Sequence, residues 1–88
     1  MSEQEIIERV RNLMINVFEL KTKDLTPEAT LYDQLGLDSL DSVDLVVALE
    51  KEFGFKVVRA TDEEKIGAMR QLRDLYAFIH YKLDGGGN

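Results

Sequence analysis

Between positions 4 and 20 the apolar residues recur with the period of a helix. Ile6, Ile7, Val10, Leu13, Met14, Val17 and Phe18 fall at spacings of one, three and four, which lines them along one helical face. Glu3, Glu5 and Glu8 lie in the early turns, where negative charge suits the positive end of the helix dipole. The period breaks over 21–37. Thr26-Pro27-Glu28 reads there as a local helical start, with Thr26 capping and Pro27 in the first helical position, where no N–H is needed. Leu25, Leu31 and Leu35 are expected to pin this long loop to the core, and Gly36 to relieve steric limits before the next element.

Helical period returns from Ser39 to Phe53. Asp38 is the expected N-cap, with Asp41 three residues on and Gly54 as the stop. Phe55 to Ala60 is short and mixed, with Val57 and Val58 as expected core anchors. Thr61-Asp62-Glu63-Glu64 has the form of a capping box, Thr61 the cap and Glu64 at the third position. A short helix is expected over 62–66, with room to run on through Gly67. Met69, Leu72, Leu75, Tyr76, Ile79 and Leu83 give a last stripe, hence a helix over 70–83. No period-2 segment is long enough to argue for a sheet. The fold class predicted is all-α: a small antiparallel four-helix bundle, three helices long and one short. It occupies 1–84 as one domain, followed by a flexible Gly-rich tail over 85–88.

The second helix carries more apolar residues than one face can hold. Leu45, Val46, Leu49 and Phe53 form one stripe, and Leu40, Val43 and Val47 form another. One stripe suffices for the core of so small a bundle. The second is either buried as well or partly exposed, flanked by Asp41, Asp44 and Glu50. An apolar strip with an acidic rim is a protein-docking surface in the second case. Ser39 poses a similar choice. It is either a plain helix-start residue, the usual job of Ser there, or an exposed hydroxyl whose phosphate ester would be met by the positive end of the helix.

Composition narrows the function classes. The chain has 88 residues, 11 Lys+Arg against 17 Asp+Glu, a net charge of −6, no Cys and one His. The acidic balance argues against nucleic-acid binding, which needs clustered Lys and Arg. From Asp33 to Glu52 there are six acids and one base, a concentration that favours a basic partner surface. Absence of Cys excludes disulfides, thiolate metal sites and a Cys nucleophile. The longest apolar runs, 45–49 and 75–79, are far short of the roughly 20 residues a membrane span needs. The start Met1-Ser2-Glu3-Gln4-Glu5 has no signal-peptide character, so a soluble cytoplasmic protein is expected. No Ca²⁺-loop pattern is present and no metal is expected. A hydrolase would have to pair Ser39 with the single His, His80, far along the last helix, and a small bundle leaves little room for a cleft.

The stretch Leu35-Gly36-Leu37-Asp38-Ser39-Leu40-Asp41-Ser42-Val43-Asp44-Leu45-Val46 strongly resembles the acyl carrier protein family. The resemblance continues through Leu49-Glu50-Lys51-Glu52-Phe53 and takes in the loop with Pro27-Glu28-Ala29 and the last helix from Leu72 to Ile79. It implies a carrier and not an enzyme. Ser39 would be esterified by 4′-phosphopantetheine, delivered from coenzyme A by a phosphopantetheinyl transferase, and the arm's thiol would hold acyl groups as thioesters. A carrier without Cys is then intelligible, because the reactive sulfur belongs to the cofactor. Asp38 matches the family's acid beside the attachment site. Leu40, Asp41, Val43, Asp44, Val47 and Glu50 match its partner-contact helix, and the partners implied are the transferase and acyl-transferring or acyl-modifying enzymes. The carrier is expected to be a freestanding monomer. Gln34 and Lys51 stand where acids are frequent in the family, and Gly54-Phe55-Lys56 and Arg59 make the following segment less acidic. These departures point to a specialised pathway (a lipid, lipopolysaccharide or polyketide acyl group) in place of general fatty acid synthesis. A peptidyl carrier and an unmodified interaction module using the second-helix surface are the rival readings.

Overall fold

The computed structural model describes residues 1–85, so most of the expected tail, 86–88, lies outside the described residues. Among the described residues four α-helices follow one another: α1 Glu3–Phe18, α2 Ser39–Phe53, α3 Arg59–Ala68 and α4 Leu72–Leu83. Among the described residues there is no strand, only an isolated bridge between Thr30 and Gln71. The all-α bundle expected from periodicity is the observed architecture.

The core is built mainly from α1 and α4. Ile6, Val10, Leu13 and Met14 of α1 meet Leu72, Leu75, Tyr76, Phe78 and Ile79 of α4, joined by Leu45 and Leu49 of α2. Val17, expected in the apolar face of α1, is instead exposed. The helix ends with its apolar stripe at Phe18, where Glu19 adopts a left-handed backbone (φ 56) and its N–H returns to the Met14 carbonyl.

The long loop is tied down by both side chains and backbone. Leu25, Ala29, Leu35 and Leu37 are buried, and Leu31 is half-buried. The N–H groups of Leu31, Leu72 and Arg73 bond to the carbonyls of Arg70, Ala29 and Pro27, each at 2.9 Å, so the loop clasps the start of α4. The helical start expected at Thr26-Pro27-Glu28 does not form. The Ala29 N–H reaches the Thr26 carbonyl at 3.0 Å, closing a single turn with Pro27 in its second position, where a fixed φ serves equally well. The only helical piece of the loop is a 3-10 turn at Thr22–Asp24.

Helix α3 also departs from expectation. It starts at Arg59, three residues before the predicted boundary, and runs to Ala68. Thr61 is not its cap. The N-cap is Val58, whose N–H is accepted by the Asp62 carboxylate at 2.8 Å. Capping thus comes from a side chain inside the helix, which the expected Thr61–Glu64 box did not foresee. Phe55 is the fully buried residue of the connection; Val57 packs half-buried against the core as expected, and Val58 is half-buried without joining it. Its ring stacks on Phe53 and meets Phe78 of α4 edge-on, with centroids 6.2 and 6.3 Å apart.

Candidate functional site

The start of α2 is fixed by short-range hydrogen bonds. The Asp38 carboxylate accepts from the N–H groups of Leu40 and Asp41, each at 3.0 Å, and the Asp41 carboxylate accepts from the Asp38 N–H at 3.3 Å. Two donors that a helix end leaves unpaired are satisfied in this reciprocal way. Ser42 adds a bond from its hydroxyl to the Asp38 carbonyl at 3.1 Å. Gly36 makes the preceding turn possible at φ 71, and the Leu37 N–H closes on the Leu31 carbonyl at 2.9 Å.

Ser39, the first residue of α2, is exposed and makes no side-chain hydrogen bond among the described residues. The cap is supplied by Asp38, so the Ser39 hydroxyl is left available. The positive end of the helix is less open than the sequence suggested, because Asp38 already holds two of its N–H groups.

Beside Ser39 lies a cavity of about 720 Å³. Ser39 and Asp38 stand on its border, and Leu45, Val46, Leu49, Ile66, Met69 and Phe78 supply apolar wall between α2, α3 and α4. Met69 and Phe78 were legible only as core residues, and Ile66 only as a helix end. What joins them to Ser39 is the way α2, α3 and α4 border one cavity, which no local pattern encodes. A second groove of about 430 Å³ lies on the outer side of Val46, between Val43, Val47 and Glu50 of α2 and Arg59, Glu63 and Ile66 of α3.

The two stripes of α2 separate. Leu45 and Leu49 are buried, while Leu40, Val43 and Val47 are 76%, 61% and 43% exposed. Of the acids expected on the rim, Asp44 is exposed and Asp41 is half-buried in the cap. Glu50 is half-buried too, and its carboxylate accepts the Val57 N–H at 2.8 Å. It therefore braces the segment before α3. His80 lines a separate surface hollow with Glu3, Ile7, Pro27 and Arg73, which shares no residue with the cavity at Ser39. No group of His, Asp and Glu able to hold a metal ion occurs among the described residues. No helix among them is long and apolar enough to cross a membrane.

The structure thus leaves an exposed hydroxyl at the first turn of α2, beside a cavity with apolar walls. The model of a family described as a phosphopantetheine attachment site matches residues 8–61. The chain is 42% identical over 82 residues to an acyl carrier protein of Thermotoga maritima, covering 93% of this chain and 96% of that one. It is 32% identical over 83 residues to an acyl carrier protein of Thermosynechococcus vestitus, covering 94% and 98%. Its fold is similar to the crystal structure of an acyl carrier protein from Thermotoga maritima, with a TM-score of 0.76, 26% identity, and 96% and 93% of the two chains covered. The chain belongs to the acyl carrier protein family, whose members are carriers and not catalysts. Its cofactor is phosphopantetheine.

Proposed function

We propose that Ser39 is the residue that bears the 4′-phosphopantetheine arm, through a phosphodiester at its Oγ. The observation that carries this reading is the conjunction at Ser39 of an exposed, unbonded hydroxyl and an apolar cavity at its side. Phosphopantetheine, when bound, supplies a long arm ending in a thiol on which acyl groups are carried as thioesters. The chain's own residues do the rest. Asp38 fixes the first turn through the N–H groups of Leu40 and Asp41, so the attachment point is presented on a rigid end. Leu45, Val46, Leu49, Ile66, Met69 and Phe78 give an apolar acyl chain a place out of water, at about 0.8 kcal/mol per buried methylene. So modest a gain per carbon lets an enzyme withdraw the chain again. Tethering raises the effective concentration of substrate at each partner.

Leu40, Val43 and Val47, with Asp41, Asp44 and Glu50 around them, form the surface that partners read. The apolar three anchor the complex, and the acids steer a basic partner to it. The partners are the phosphopantetheinyl transferase and acyl-transferring or acyl-modifying enzymes. Residues 1–84 act as one carrier domain, monomeric and cytoplasmic. Lys51, Lys56 and Arg59 lower the acidity of the end of α2 and the segment after it, which favours a dedicated carrier in a specialised lipid, lipopolysaccharide or polyketide pathway.

Intact-mass measurement after incubation with coenzyme A and a transferase tests the assignment. The wild-type chain gains one phosphopantetheine mass, and Ser39→Ala gains none while keeping its helical circular dichroism. The hydroxyl makes no cap bond, so its loss costs less than the roughly 1 kcal/mol of a true N-cap. A loaded alanine variant would refute the assignment. Mass spectrometry of the protein isolated from its native cells then identifies the acyl group, and a housekeeping fatty acyl series would argue against the specialised pathway.

A further inference from the structure

Helix α3 is one wall of the cavity beside Ser39, through Ile66, and of the second groove, through Arg59, Glu63 and Ile66. Yet it has no fully buried apolar residue. Its single buried residue is Asp62, whose carboxylate meets the Lys82 ammonium at 2.7 Å. Both side chains are wholly shielded from solvent. Asp62 also accepts the Val58 N–H, and its position is in contact with the Thr61 hydroxyl at 3.5 Å. Lys82 lies in the last turn of α4. No buried side-chain polar atom among the described residues is left without any partner, and the hydrogen bond shown for the Lys82 ammonium is the one to Asp62.

The two ends of α3 are therefore held unequally. At its first turns a directional, desolvated ion pair admits one geometry, and withdrawing either partner would strand a buried charge. At its far end Ile66 is only half-buried and Gly67 and Ala68 are exposed. That end is held by the non-directional packing of half-buried Ile66 and Met69 against the core, with the chain next fixed at Arg70 by the Leu31 N–H. It is held also by the Lys65 ammonium over the Tyr81 ring, 4.7 Å from its centroid, and the Arg70 guanidinium on the carbonyls of Gly67 and Met69 at 2.9 and 3.2 Å. The Lys65 and Arg70 side-chain contacts lie at the surface, where water replaces them readily.

We propose that the Asp62–Lys82 pair is a fixed pivot for α3. It anchors the first turns to α4, confines movement to the Ile66–Met69 end, and so sets how far the cavity beside Ser39 widens for its cargo. Asp62 and Lys82 are positioning residues. They line neither the cavity nor the groove and act through Ile66 and Met69. The role in cargo rests on the reading of Ser39 and its cavity given above, whereas the pivot itself is a property of the unloaded chain.

The test is a double variant, Asp62→Asn with Lys82→Met. Asn keeps an acceptor for the Val58 N–H and Met keeps the volume of the Lys stem, so the ion pair alone is removed. Amide hydrogen exchange is read on the unloaded protein. The expected result is exchange over 59–69 faster by about tenfold, with the cores of α1 and α4 unchanged. Lys82→Arg, which retains the charge, should exchange over 59–69 more slowly than the double variant. Loading by the transferase should proceed as in wild type. A long acyl thioester on the double variant should then hydrolyse severalfold faster, and a two-carbon one at the wild-type rate. Unchanged exchange over 59–69 would overturn the pivot. So would exchange rising equally in all helices, or failure of the double variant to fold, since the pair would then be a staple of the whole bundle. Selective loosening of α3 without any change in thioester lifetime would overturn the link to cargo. Failure of wild-type loading would refute the Ser39 reading instead, and exchange on the unloaded chain would still decide the pivot.

Discussion

Helix α2 sinks Leu45 and Leu49 into the core and leaves Leu40, Val43 and Val47 in solvent, whereas α3 sinks a single carboxylate, Asp62, and no apolar side chain completely. The two helices face each other across the same cavity. Apolar burial is non-directional and adds up over area, so α2 is held by many contacts of which none is decisive. Its start is fixed again by the reciprocal Asp38–Asp41 cap. The outer face of α2 can then be spent on surface apolar residues without loosening the helix. For α3 the balance is reversed, because most of its ten residues are exposed and its one buried contact is polar. One wall of the cavity is thus firmly seated in the core, and the other depends on few contacts.

The largest difference should appear on truncation. Leu49→Ala removes a side chain only 1% exposed and should cost about 2–5 kcal/mol. Ile66→Ala, at a half-buried site on the opposite wall, should cost about 1 kcal/mol. Urea midpoints at constant slope measure both. Equal losses would mean that α3 is as firmly seated as α2.

Acid should come next. The Asp62 carboxyl is pushed up by burial, but the Lys82 hydrogen bond, the Val58 N–H and the Lys82 charge outweigh this and hold it below its ordinary 3.8. The N–H groups of Arg70 and Gln71 hold Asp74, at the start of α4, below the same value. A carboxylate with a depressed folded pKa contributes stability that is present above the unfolded value and is lost as pH falls through the folded one. Stability from these two groups should therefore be constant from pH 7 to about 5 and fall below about pH 4. With Asp62→Asn the acid-induced loss should be smaller, as read by urea melts at pH 7 and pH 3. An unchanged pH dependence in that variant would show that Asp62 is not held in its charged form by Lys82.

The smallest effects on stability, and the most specific on function, belong to the outer face of α2. Asp44→Lys should change stability by no more than about 0.5 kcal/mol and slow transferase loading at low salt, with the defect shrinking as salt screens the field. Val47→Ala should weaken partner binding with little salt dependence. Transferase kinetics at two salt concentrations separate the two contributions, and equal salt dependence would collapse the distinction between steering and anchoring residues.

Much of α2 was legible before any coordinates. Asp38, Asp41, Ser39 and Gly54 act within a few residues of themselves, so their consequences are written locally: a cap, a first turn, a left-handed stop at φ 77. Spacing alone separated Leu40, Val43 and Val47 from Leu45 and Leu49. Which stripe lay outside, however, depended on how many neighbours the bundle supplies. The same limit explains the misplaced start of α3. Thr61 satisfied the capping pattern, but the Val58 N–H was met by Asp62, a carboxylate whose orientation is shared with a lysine on another helix.

Sequence by itself determined the helix count, the all-α class, the place of Ser39 at the start of α2 and the family resemblance, because each depends on period, caps or a contiguous motif. Tertiary structure alone decided the rest. It paired Asp62 with Lys82, twenty residues on, bonded the Glu50 carboxylate to the Val57 N–H, and put Phe55 in the core with Val57 half-buried against it. It also joined Ile66, Met69 and Phe78 to Ser39 around one cavity. These features arise when helices dock and exclude water between them. A charged residue in a sequence looks the same whether it will face solvent or a partner of opposite sign, and only the packing of α3 on α4 distinguishes the two.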